Sequence, residues 1–116
     1  METHIPSLPV IDAKSFNPTI QSTPAVVIQA WASWDPVSRR LDAWLRQARE
    51  SYEHLHFYAM DIDQEQNWPF AAKWAIATTP TLICIFKGAF HEMQVGLRPE
   101  PQMSAKLSEW NSLGGK

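Results

Sequence analysis

A carboxylate and a hydroxyl stand three residues apart in Trp34-Asp35-Pro36-Val37-Ser38, where an apolar run gives way to a helix. Asp-Pro is a helix start: the carboxylate caps exposed N–H groups, and proline suits the first helical position. The helix dipole keeps such a carboxylate ionised, which makes it a poor proton carrier at neutral pH. Asp35 is read as a structural cap, against the alternative of an acid that grips a cationic group on a partner. A nucleophilic serine needs a base within hydrogen-bond reach, itself oriented by a third group. None of His4, His54, His56 and His91 is near Ser38 in sequence, so Ser38 is read as a plain helix serine. No catalytic residue is assigned. His54 and His56 lie two apart on a predicted strand and supply at most half of a metal site, so no metal is expected. The one cysteine, Cys84, sits within Leu82-Ile83-Cys84-Ile85-Phe86. Apolar surroundings raise a thiol's pKa and leave it an inert core side chain. A single cysteine excludes an internal disulfide and any zinc site of several thiolates. No cofactor is expected.

These groups need elements to position them. The run Ala25 to Trp34 is apolar and β-branched, and reads as a buried strand delivering a loop and then a helix. In that helix Val37, Leu41, Trp44, Leu45 and Ala48 recur with helical period, a predicted buried face, with Arg39, Arg40, Arg46 and Arg49 over much of the rest. Leu55 to Asp63 reads as a second strand, and Ala77 to Gly88 joins a turn to a third. Pro6, Pro9, Pro18 and Pro24 stiffen the N-terminal quarter and predict a first helix that is short or broken near Pro18. After Pro99 and Pro101, Met103, Leu107 and Trp110 mark an amphipathic closing helix that stops at Leu113-Gly114-Gly115-Lys116.

A chain of 116 residues is expected to be one domain, residues 1–116, and is long enough for a hydrophobic core. A net charge of −2 and a pI near 6.0 provide no basic stripe, so nucleic acid is not an expected partner. No apolar run is long enough to span a bilayer, and no basic-then-apolar leader opens the sequence, so membrane insertion is not expected and a cytoplasmic location is.

Five short motifs then come in order: Trp31-Ala32-x-Trp34, Ile62-Asp63-Gln64, Thr79-Pro80-Thr81, Phe86-Lys87 and Val95-Gly96. Over about residues 7–113 the chain resembles the thioredoxin family. The resemblance implies an α/β fold with a central mixed sheet of four or five strands and helices on both faces. Where the family carries Trp-Cys-Gly-Pro-Cys, this chain has the degenerate motif Trp34, Asp35, Pro36, Val37 and Ser38. By alignment from Trp31, the family's buried aspartate falls on Gln29 and its accompanying lysine on Ala59. Disulfide exchange needs an attacking and a resolving thiol. The resemblance therefore implies a redox-inactive member without disulfide oxidoreductase activity.

It also implies a peptide-binding groove with three walls: Trp34, the backbone at Thr79 before a cis Pro80, and the loop at Gly96 and Leu97. Only X-Pro bonds adopt cis at modest cost, and a cis bond there exposes the Thr79 N–H and C=O for strand-like pairing. Six tryptophans is a high number. Trp31, Trp44 and Trp74 are expected inside, Trp34 partly exposed, and Trp68 on a turn leading into a helix. The expected function is an adaptor or chaperone for an extended protein segment. Accessory proteins of hydrogenase maturation, which look like thioredoxins without the cysteines, are one such group. The alternatives are a structural subunit that self-associates as a homodimer, through the helix bearing Trp68, Phe70 and Trp74, and an enzyme that reuses the fold without a dithiol.

Overall fold

The computed structural model describes residues 8–115; His4, Pro6 and Lys116 lie outside them. Helix α1 (Phe16–Ser22) is short, and Pro18 sits in its first turn, where a missing N–H costs nothing. Strand β1 (Ala25–Trp31) is buried along its whole length. It stops three residues short of the apolar run's end, because the Asp35 N–H turns back to the Ala32 carbonyl at 3.0 Å. Helix α2 (Pro36–Ala48) follows. Strand β2 (His56–Asp61) is likewise shorter at both ends than the sequence suggested. Helix α3 (Trp68–Lys73) and the paired strands β3 (Thr81–Phe86) and β4 (Ala89–Val95) come next. Helix α4 (Glu100–Gly114) closes the order and takes Pro101 into its first turn.

The strands form one four-stranded mixed sheet in the order β2-β1-β3-β4, with β1 and β2 parallel and the other pairs antiparallel. Side chains alternate across β1 and split the interior in two. Ala25, Val27 and Trp31 pack with Leu41 and Leu45 of α2 and with Met103, Leu107 and Trp110 of α4. Val26, Ile28 and Ala30 pack on the opposite face with Phe16 and Ile20 of α1 and with Trp74 behind α3. Helices therefore cover both faces. Phe70 and Trp74 turn inward onto Phe16, with ring centroids 4.5 and 5.2 Å away.

The two sheet edges are finished differently. Alongside β2, Pro9 and Ile11 bond to Ala59 and add a one-residue bridge. On the outer strand β4 the register slips: Cys84 pairs with Glu92 but Ile85 pairs with Phe90, so His91 is an extra, bulged residue. The β3–β4 turn is the two-residue loop Lys87-Gly88, with φ of 52° and 80°, the left-handed pair that matches strand twist. At the same end of the sheet, α4 reaches the starts of β1 and β2 so closely that a Cβ on Gly114 would lie 2.7 Å from the His54 carbonyl oxygen.

Candidate functional site

The residues of the degenerate motif meet the cis-proline loop in one hydrogen-bonded cluster. Asp35 is the N-cap of α2, and its Oδ1 accepts from the Val37 N–H at 3.1 Å. Its Oδ2 accepts from Ser38 Oγ at 2.9 Å and from Thr79 Oγ1 at 3.0 Å. Ser38 Oγ in turn accepts from the Ala32 N–H at 3.3 Å. Partial burial pulls the Asp35 pKa upward, but the bonds from Ser38, Thr79 and the Val37 and Ser38 amides outweigh it, so the carboxyl lies below its ordinary value. Asp35 is an ionised cap that also ties α2 to the loop before β3.

Burial on α2 departs from the sequence expectation. Val37 is exposed and Trp44 only half-buried, whereas Ser38 and Asp42 are fully buried with Leu41 and Leu45. Ser38 Oγ donates to the Asp35 carboxylate, a weak base with its pKa lowered, and accepts from a backbone N–H. Asp42 escaped the sequence reading. Beneath the site the fully buried Gln29 donates from Nε2 to Asp42 Oδ1 at 3.0 Å. Gln29 Oε1 has no hydrogen-bond partner among the described residues. A buried carboxyl is therefore present under the motif, on α2 rather than β1. Its one clue in the sequence is an acid at position 42, four residues past Ser38 and between two buried leucines. Ala59 lies directly across from Gln29 in the parallel register and is buried.

The Thr79–Pro80 bond is cis. The Pro80 carbonyl accepts from the Gly96 N–H at 2.8 Å, which seats the Gly96-Leu97 loop beside it. Gly96 takes φ 79°, and the space where its Cβ would stand is open. Among the described residues the Thr79 N–H and C=O bond to nothing. Trp34 is 68 % exposed, and its indole N–H donates to Asp63 Oδ2. Asp61 is neighbour to this contact, accepting the Asp63 N–H at 2.9 Å. Its burial, together with the Asp63 charge, raises the Asp61 pKa despite that bond. The structure thus brings Trp34, Thr79, Pro80, Gly96 and Leu97 to one end of the sheet.

The thioredoxin family pattern matches residues 7–109 of this chain. The chain belongs to the thioredoxin family. A thioredoxin of Chlorobaculum thiosulfatiphilum is 29% identical over 91 residues, 78% of this chain and 82% of the relative. Among solved structures, a Plasmodium falciparum thioredoxin superposes with a TM-score of 0.80 at 15% identity, covering 89% of this chain and 99% of that one. A Halobacterium salinarum thioredoxin gives 0.77 at 20% identity, covering 95% and 96%. The sheet and its flanking helices form the thioredoxin fold.

Within this thioredoxin-family chain the remaining sequence candidates fall away from the site. Cys84 is fully buried in the core, and burial, with the nearby Glu92 charge, pushes its thiol up to about 12. His54 lies in the turn before β2 rather than on the strand, so it does not share a strand face with His56. Its backbone N–H bonds to Asn111 Oδ1 at 2.9 Å. Of the tryptophans, Trp31, Trp74 and Trp110 are buried, and Trp68 is 55 % exposed. Asn67, also missed in sequence, is buried and links the Ala13 N–H to the Asp61 carbonyl through its two side-chain atoms. No helix among the described residues is long and apolar enough to cross a membrane.

Proposed function

We propose that this chain is a redox-inactive binding module of the thioredoxin family, an adaptor or chaperone that docks an extended protein segment. One observation carries the reading: the two thiol positions hold a hydrogen-bonded Asp35–Ser38 pair, while the surface around them stays open. An extended segment pairs with free backbone groups as an added strand, and Thr79 presents both an N–H and a C=O. Trp34 supplies a large, exposed apolar wall of the kind that anchors interfaces. Neither contact needs sulfur. An enzymatic alternative would need a reactive thiolate, and Cys84 is buried with its pKa raised.

The test compares a native pull-down by wild type with one by Trp34→Ala, after circular dichroism shows both folded. Capture of a partner by wild type and its loss by the variant supports the groove. Equal capture by both overturns it.

A further inference from the structure

The groove carries charge as well as apolar surface, and that charge is uncompensated. Asp35 Oδ2 lies one hydrogen bond from Thr79, whose backbone is free. Asp63 holds the neighbouring Trp34 indole by its N–H. Neither carboxylate has a cationic partner: the ion pairs among the described residues are Lys106 with Glu92 and Glu109, and His54 beside Glu53. Asp61 and Glu65, beside Asp63 in the chain, have the same sign. Arg39 and Arg40, one turn along α2, are exposed and pair with neither acid. Arg98 is on the far wall, where its Nε donates to the Val95 carbonyl at 2.9 Å.

An exposed indole bonded to one carboxylate, with a second carboxylate next to it in the chain, matches one side-chain chemistry. A guanidinium or ammonium lies over an indole face by cation–π attraction and gives charge-assisted hydrogen bonds to the acids. An acidic side chain placed there would meet like charge. We propose that the segment docked in this groove carries an arginine or lysine beside the residue paired with Thr79, received by Asp35 and Asp63 against Trp34. This rests on the groove reading above and names the partner's chemistry.

The experiment is selection of a random dodecapeptide library on the folded protein, followed by affinity measurements on the selected peptides. Wild type, Trp34→Ala and the double variant Asp35→Asn/Asp63→Asn are compared. Asparagine keeps an acceptor oxygen for the helix cap and for the Trp34 indole, so the double variant removes charge while sparing the fold. The Trp34 indole resonance in an NMR spectrum verifies that the ring stays in place. Selected peptides are expected to share a basic residue at a fixed position and to lose binding on Trp34→Ala. The double variant is expected to bind them about fivefold more weakly at low salt, with the difference shrinking at high salt. Peptides without a basic residue that bind the double variant undiminished, yet need Trp34, overturn the basic preference and leave the groove standing. Selected peptides indifferent to Trp34, or no selection at all, overturn both.

Discussion

Through one carboxylate, Asp35 joins three segments: the turn after β1, the first turn of α2 and the cis-proline loop. Asp35→Ala removes a cap and leaves the buried Ser38 hydroxyl without its acceptor, an expected loss of about 1–2 kcal/mol by urea unfolding. Asp35→Asn, which still accepts from Val37, should lose roughly half as much. Acid distinguishes the two further. The folded Asp35 pKa lies below its ordinary 3.8, so its ionised form contributes fully above that value. The contribution drains away as pH falls through the lower folded value, and Asp35→Asn should show less of that acid loss. Asp61 has the opposite sign. Its folded pKa is raised above 3.8 by burial, so its contribution is full below 3.8 and is lost as pH rises through the folded value. Asp61→Asn keeps an acceptor for the Asp63 N–H. It should raise stability to urea at neutral pH and change nothing in strong acid.

The join between α4 and the start of β1 depends on the absence of a side chain. A Cβ at Gly114 would stand 2.7 Å from a backbone oxygen of His54 and 3.0 Å from the Ala25 Cβ, neither of which yields readily. Gly114→Ala is expected to cost about 1–3 kcal/mol in thermal or urea unfolding. Gly115→Ala meets only the His54 ring, at 2.9 Å, and should cost less because a ring can turn aside. The helix stop at the Gly114-Gly115 pair was legible in the sequence, but the contact of that pair with His54 was not, because Gly-Gly says nothing about what lies opposite. The same limit explains α2. Asp-Pro located the cap and periodicity the helix, yet periodicity chose Val37 and Trp44 for a stripe that Ser38 and Asp42 occupy. Ser38 is satisfied by its local bond to the cap Asp35 and Asp42 by Gln29 of β1, and neither hydrogen bond leaves a trace in the apolar period. The groove is the converse case. Trp34, Thr79-Pro80 and Gly96 are far apart in the chain, and only the family resemblance carried by the order of the short motifs implied that they share one surface.

Across the whole molecule, β1, β2 and β3 were readable as distinct apolar runs, whereas the largely exposed β4, with His91, Glu92 and Gln94, was not; the split of the core follows from alternation along β1. The same core decides the chemistry of the one thiol. With its pKa pushed up to about 12, only about 10⁻⁵ of Cys84 is thiolate at neutral pH, and none of the residue is exposed. A maleimide reagent should leave the native protein unlabelled over the time in which urea-unfolded protein reacts fully. Fast labelling of the native state would contradict this burial. One feature of the outer strand bears on how copies of the chain behave together. The extra residue His91 kinks the row of backbone donors and acceptors that β4 presents to solvent. An incoming strand would find its ladder out of step midway, so growth of a fibril from this edge is interrupted at the first added layer.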